Sequence, residues 1–311
     1  MKTLLIALNP KAGAVSAAER VAELERLLRA AGRRVVIEPD LGKLADRARE
    51  LHQAGELEGV VSAGGDGTAA AVVNLLPPEV PIAIFPLGTE NLLGRWLGQQ
   101  ATPAAVRDTL LGGRLLRLDA AQANGRLFLL MLGAGFDAAV VQRMHQRRRG
   151  HIRRWHYSRP ILETLHLYRF PELRVTCSLV AADAAIDHGA ARAPAKESSL
   201  EFQARWVFAF NLPCYAGGLP LALEADGADG ALDLTTFERG SIWHGLRYLA
   251  TVILKRHHRL AEHATYRVTR LRIEADELVP YQVDGDPGGV LPVDVEVLPH
   301  RLALLAPPGA P

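Results

Sequence analysis

The chain has 311 residues, enough for roughly two domains of about 150 residues each. Its 49% hydrophobic and 23% charged residues exclude a disordered chain, a collagen-like chain and a disulfide-stapled miniprotein. A formal net charge of only +2 argues neither for nor against nucleic acid, and no such partner is expected; two cysteines, Cys177 and Cys214, are too few for a disulfide framework or a four-thiolate metal site, so a reducing, cytoplasmic location is expected.

The first apolar run, Leu4 to Leu8, stops at Asn9-Pro10. It is too short for a signal peptide or a membrane span, and it reads as a strand buried on both faces of a parallel sheet. Ser16-Ala17-Ala18-Glu19 has capping-box spacing, and Val21, Leu24, Leu27 and Leu28 recur at helical intervals up to Gly32. A strand at Arg34 to Ile37, a helix at Leu41 to Ala54 and a strand at Gly59 to Ala63 follow. After a glycine-rich loop come a helix at Ala69 to Leu76, a strand at Ile82 to Phe85, and helices at Glu90 to Leu97 and Pro103 to Gly112. Repeated strand–helix units call for a doubly wound α/β sheet, here over residues 1–118.

Beyond Leu118 the pattern becomes alternating and β-prone: Leu127 to Leu132, Leu173 to Val180, Leu200 to Asn211, Leu232 to Phe237, Thr265 to Glu274 and Val293 to Val297. The turns Asp226-Gly227, Asp229-Gly230 and Asp284-Gly285 punctuate these segments. A mostly antiparallel β-sandwich domain is expected over 119–311, whose last residues could return to the first domain. Helices near Arg153 to Tyr168 and Ser241 to Leu260 interrupt it, and Asp183 to Ser199 reads as an exposed loop.

Three loops of the first domain follow a strand's carboxyl end and precede a helix: Asn9-Pro10-Lys11-Ala12-Gly13, Gly64-Gly65-Asp66-Gly67-Thr68 and Pro86-Leu87-Gly88-Thr89-Glu90-Asn91. In an open parallel sheet such loops gather at one edge, where ligands bind. Glycine lets backbone approach a phosphate, and the following helix offers unpaired N–H groups. Neither the GxGxxG nor the GxxxxGK[ST] pattern is present, which disfavours a dehydrogenase or a P-loop enzyme.

The trio NPKAG, GGDGT and PLGTEN, in this order and spacing, resembles the diacylglycerol kinase catalytic domain of bacterial lipid kinases and sphingosine kinases, more distant relatives of NAD kinases and 6-phosphofructokinases. The likeness extends through Gly133-Ala134-Gly135-Phe136-Asp137, through Tyr215-Ala216-Gly217-Gly218 with Asp226 and Asp229-Gly230-Ala231-Leu232-Asp233, and through Val283-Asp284-Gly285-Asp286. It implies ATP bound in a cleft between a nucleotide-binding α/β domain and the sandwich. Carried over by position, Asn9, Gly64, Gly65, Asp66, Gly67, Thr68 and Thr89 would meet the nucleotide phosphates, and Asp284 would be the general base for the lipid hydroxyl. Asp226, Asp229 and the carbonyl of Ala231 would bind a structural Mg²⁺, an oxygen-only set suited to a hard cation. Three places depart from the family's pattern: Asp286 stands where it usually has glutamate, Leu92 where it usually has aspartate, and Glu38-Pro39-Asp40 in the loop after the second strand, which often carries a threonine for the nucleotide.

The densest basic run, Arg143, Arg147, Arg148, Arg149, His151, Arg153 and Arg154, is either a solvated face or a surface for anionic lipid headgroups. Ser241 to Leu260 is expected to be an amphipathic helix packed on its own domain, with cations at its C-terminus, and membrane docking is the disfavoured alternative. The expected function is that of an ATP-dependent lipid kinase with Mg²⁺, diacylglycerol being the leading acceptor. The alternatives are a kinase of a soluble acceptor such as NAD and a non-catalytic nucleotide- or lipid-binding homologue. The expected partner is a lipid substrate at a membrane surface, with a homodimer as an option. A peripheral position at the inner face of the membrane would suit that partner.

Overall fold

A computed structural model describes residues 2–10, 16–146, 158–180, 199–215, 218–219 and 221–310. The first domain builds on β1 (Thr3–Leu8), β2 (Arg34–Glu38), β3 (Leu57–Gly64) and β4 (Ile82–Pro86), all parallel in the order β2-β1-β3-β4. The unbroken apolar runs follow from burial on both faces. Along β1, Leu4 and Ile6 pack under α1 (Ser16–Ala30) with Val21, Leu24 and Leu28, whereas Leu5 and Ala7 face the cluster containing Leu44 and Ala48 of α2 (Leu41–Gln53) and Val72 and Val73 of α3 (Asp66–Leu75). The short α4 (Leu92–Trp96) and α5 (Pro103–Gly112) complete this part; Val106 and Leu110 of α5 join the α1 face.

The chain then crosses on β5 (Arg114–Ala123) into a mostly antiparallel β-sandwich domain. Its elements are β6 (Arg126–Phe128), β7 (Met131–Gly135), α6 (Phe136–Gln146), α7 (Ser158–Leu167), β8 (Leu173–Leu179), β9 (Ser199–Ala204), β10 (Trp206–Phe210), β11 (Leu232–Phe237), α8 (Ile242–Ile253), β12 (His263–Glu274), β13 (Pro280–Val283), β14 (Asp286–Val290) and β15 (Val293–Ala306). The central order is β14-β13-β7-β10-β11-β12-β15, with β8 paired to β12 and β9 to β8. Alternate residues such as Leu132, Ala134, Val175, Val207, Leu232, Leu271, Val293 and Val295 form the dry interior.

Strand β15 belongs to both sheets. Its first half pairs antiparallel with β12, its last residues pair parallel with β4 through Leu304 to Ile82 and Leu305 to Ala83, and β5 runs antiparallel along nearly all of it. One continuous hydrogen-bonded ribbon therefore carries the sandwich on the α/β sheet.

The structure redraws several expected elements. Leu127 to Leu132 is not one strand, because Leu129 and Leu130 leave the ladder and donate their N–H groups to Asp284. Leu200 to Asn211 divides at Arg205 into β9 and β10. Residues 147–157, with most of the basic run, and 183–198 of the expected loop lie outside the described residues.

Candidate active site

Strands β1, β3 and β4 end side by side, so their loops share one edge. The pairing continues past the strands: Asn9 donates its N–H to the Ala63 carbonyl, and Leu87 donates to that of Gly64. The Asn9 amide donates to the Thr68 hydroxyl at 3.1 Å, and Thr68 lies tight under Gly64, where a Cβ would stand 2.6 Å from the threonine's own Cβ. Gly65 and Gly88 pack backbone to backbone: a Cβ on Gly88 would come 2.5 Å from the Gly65 Cα. Both loops thus need glycine at their crossing for steric reasons.

Asp66 locks the same two loops by hydrogen bonding. Its carboxylate accepts from the N–H groups of Leu92 at 3.0 Å and Leu93 at 3.1 Å, capping α4. Burial raises its pKa, while those two N–H bonds oppose the rise. Asn91, at a left-handed φ of 50°, accepts from the Gly88 N–H at 2.9 Å and returns its amide to the carbonyls of Gly88 and Pro86. Thr89 is exposed at the tip of this loop, and Lys11, Ala12 and Gly13 lie outside the described residues.

From the sandwich side, the two-residue turn between β13 and β14 presents Asp284. Asp284 at φ 51° and Gly285 at φ 82° are both left-handed, the backbone that a tight Asp-Gly hairpin requires. The Asp284 carboxylate accepts three N–H bonds, from Leu129 and Leu130 at 2.8 Å and from Met131 at 3.1 Å. Burial nevertheless pushes its pKa up to about 6, against those bonds and with the negative charge of Asp66 adding to the rise. A half-buried carboxylate tuned near neutrality is suited to accept a proton. The hairpin abuts the glycine loop, where a Cβ on Gly67 would sit 3.5 Å from an Asp286 carboxylate oxygen. Asp286 in turn faces Arg126 at 3.5 Å.

Behind the turn lies a polar network in an apolar setting. The Tyr215 hydroxyl donates to Asp137 at 2.6 Å, the Gln282 amide donates to the other Asp137 oxygen at 2.9 Å, and the Gln282 carbonyl oxygen accepts the Gly285 N–H at 2.8 Å. Burial raises the pKa of Asp137 and the Tyr215 phenol alike. Cys214 sits nearby, and burial together with Asp66 and Asp284 pushes its thiol up to about 12, so it stays protonated and is no nucleophile.

A separate acidic loop precedes β11. Asp226 accepts the Ala228 N–H at 3.1 Å; Asp229 accepts the Ala231 N–H at 2.9 Å and also pairs with Arg267. Burial pushes Asp233 up to about 6, with Asp229, Glu224 and Asp226 adding to the rise against Arg267. Beneath this loop the fully buried Asp119 accepts N–H bonds from Gly230 and His300, both at 2.7 Å. The buried Asn211 amide bridges the Asp119 and Leu129 carbonyls at 3.0 and 2.8 Å, so the acidic loop is tied to the segment that holds Asp284.

The model of the diacylglycerol kinase catalytic domain matches residues 3–123, and that of the YegS C-terminal NAD kinase beta sandwich-like domain matches residues 131–306. The chain belongs to this lipid kinase family. A "Diacylglycerol kinase" of Mycobacterium tuberculosis is 28% identical over 280 residues, 86% of this chain and 84% of that one. A "Diacylglycerol kinase" of Bacillus subtilis is 25% identical over 258 residues, 81% of this chain and 78% of its own. A "Probable lipid kinase YegS-like" protein of Pseudomonas aeruginosa is 39% identical over 85 residues, 26% of this chain and 28% of that one. A solved structure described as a diacylglycerol kinase from Bacillus anthracis str. Sterne superposes with a TM-score of 0.68 at 20% identity, covering 100% of this chain and 98% of that one. That likeness speaks for the fold.

Within this lipid kinase frame, Asn9, Gly64, Gly65, Asp66, Gly67 and Thr68 converge at one sheet edge, Thr89 stands at its rim, and Asp284 faces them across the hairpin. Asp226, Asp229 and Ala231 form the second, acidic locus. Asp119 and Asn211, which tie the two loci together, and Gln282, which braces the Asp284 turn, carry no motif. Their one sequence signal is a polar residue set among apolar neighbours, which a core accepts only when it is hydrogen-bonded.

Proposed function

We propose that the chain is an ATP-dependent lipid kinase that transfers the γ-phosphoryl group to a lipid hydroxyl, with diacylglycerol the leading acceptor. The observation that carries this reading is the meeting of the glycine loop and the Asp284 hairpin, a phosphate cradle beside a carboxylate raised to about 6. The N-terminus of α3, with Gly65 at its cap, offers backbone N–H groups and a partial positive end to the transferring phosphate. Asn9, Thr68 and Thr89 supply polar contacts to the nucleotide, and Asp66 keeps the two loops at a fixed separation. Asp284 accepts the proton of the acceptor hydroxyl as its oxygen attacks the γ-phosphorus and ADP departs. Little covalent work is asked of the protein beyond this positioning.

Asp226, Asp229 and the Ala231 carbonyl suit Mg²⁺ as hard oxygen donors, and a divalent cation would offset the negative charges that raise the pKa of Asp233. Bound there, the ion would supply charge balance to the loop beneath which Asp119 lies. The names of the bacterial relatives support a diacylglycerol acceptor.

The test is transfer of labelled γ-phosphate from ATP with Mg²⁺ to diacylglycerol, ceramide, sphingosine, phosphatidylglycerol and soluble NAD, alongside Asp284→Asn. One labelled lipid, lost about 10²–10⁴-fold in the variant, is the expected result. Label on NAD alone, or on nothing while ATP still binds, overturns the reading.

A further inference from the structure

Helix α8 is apolar on two faces. One packs on the sandwich: Gly245, Tyr248 and Val252 are buried, Tyr248 stacks on Phe237 at 4.5 Å and meets Trp206 edge-on at 5.8 Å, and a Cβ on Gly245 would strike the Leu165 side chain of α7. The other face is bare. Trp243 is 77% exposed, Leu254 62%, Ile253 57% and Leu246 39%, with Ile242 and Ala250 exposed among them. At about 100° per residue these six side chains fill one arc of about 120°, turned away from the buried face. The sequence reading packs the apolar side of this segment on its own domain. That accounts for one face and leaves the second without a partner.

Within the segment that carries this face, the charge has one sign. No acidic residue occurs between Arg239 and Glu262. Arg247, at the edge of the arc, pairs with Glu262 at 3.1 Å, but Lys255, Arg256 and Arg259 just past the helix end are exposed and have no ion-pair partner among the described residues. Two such faces pressed together would oppose like charges, whereas an anionic bilayer supplies both the apolar layer and the counter-charge. Tryptophan, amphipathic and rigid, favours that boundary.

We propose that the bare face of α8 docks on an anionic bilayer, with the helix lying in the interface plane. Trp243, Leu246, Ile253 and Leu254 enter the headgroup boundary, and Lys255, Arg256 and Arg259 meet the lipid phosphates. The proposal rests on the lipid-acceptor reading for its purpose but not for its geometry. The docking face and the active site share one lobe. Trp206, against α8, packs on Phe136 at 4.6 Å, and the next residue, Asp137, holds Gln282 behind the Asp284 turn.

The experiment is flotation of the full-length chain with vesicles of phosphatidylglycerol and phosphatidylcholine, against pure phosphatidylcholine. The variants are Trp243→Ser/Ile253→Ser and Lys255→Glu/Arg256→Glu, with melting temperature as the folding control. Binding to the anionic vesicles, weakened about tenfold or more by either pair, is expected. Quenching of Trp243 fluorescence by bromolipid, absent in Trp243→Phe, gives a second readout on a nearly native chain. No anionic-vesicle binding, binding unchanged in both pairs, or a dimer in ultracentrifugation that Trp243→Ser disperses would each overturn the proposal. Phosphorylation of a short-chain, water-dispersed diacylglycerol separates the two ideas. Its retention in the variants, with loss of activity on vesicle-embedded lipid, supports docking. Vesicle binding with no lipid phosphorylated at all would remove the kinase reading and leave the docking face standing.

Discussion

The glycine-loop edge and the acidic loop before β11 solve opposite problems. At the edge, Gly65 against Gly88, Thr68 under Gly64 and the Asp66 cap on α4 hold the backbone by steric fit and paired hydrogen bonds, with no ion needed. In the acidic loop, the charges of Asp229, Glu224 and Asp226 raise the pKa of Asp233 against the opposing charge of Arg267, though among the described residues no three acidic side chains gather closely enough to form a metal cage. The first region is organised by packing and hydrogen bonding. The second carries excess negative charge whose relief would come from a cation. The difference teaches which perturbations each region should feel: volume at the edge, pH and divalent ions in the loop.

The largest effect is expected from pH at the edge. With Asp284 at about 6, its protonated form cannot take the acceptor's proton, so the transfer rate should fall about tenfold per pH unit below that value. A rate profile flat down to pH 4.5 would remove Asp284 as the base. Gly88→Ala comes next: its Cβ meets the Gly65 backbone, which has no side chain to swing aside, and a loss of about 3 kcal/mol with loss of ATP binding by calorimetry is expected. An equally stable, ATP-binding variant would show that the loops are not held by that contact.

The acidic loop should respond to ions instead. Mg²⁺ at about ten times its dissociation constant should stabilise the protein by about 1.4 kcal/mol in thermal melts, and Asp226→Ala should abolish the gain. Asp233 sharpens the same contrast. Its folded pKa is raised to about 6 from 3.8, so its contribution to stability is full below 3.8 and is lost as pH rises through 6. Without Mg²⁺, Asp233→Asn should therefore gain on the parent by about 1 kcal/mol between pH 4 and 7, after screening of this half-buried group. Urea melts at the two pH values check it. The smallest effect is expected for Asp286→Glu, which lengthens the partner of Arg126 in a part-exposed pair: activity should change by less than about fivefold.

Much of this was legible in one sequence. Gly64 to Thr68 and Pro86 to Asn91 announce themselves because a strand end, a glycine and a helix start fall within a few residues, and that punctuation is local. The two-faced apolar runs of β1, β3 and β4 likewise betray a covered parallel sheet. By contrast, Leu127 to Leu132 reads as one strand, because nothing local shows that Leu129 and Leu130 will spend their N–H groups on a carboxylate 155 and 154 residues away. Asp119, Asn211 and Gln282 are silent for the same reason: their partners are remote in sequence.

By itself, then, the sequence determined the fold class, the loops that gather at the sheet edge and the family to which the chain belongs, since periodicity and turn chemistry act over a few residues. Only the tertiary structure decided that β15 joins both sheets, that Asp284 is raised to about 6 beside the glycine loop, and that α8 keeps a second apolar face in solvent. Burial and electrostatic environment are sums over neighbours from the whole chain, and no local pattern contains them.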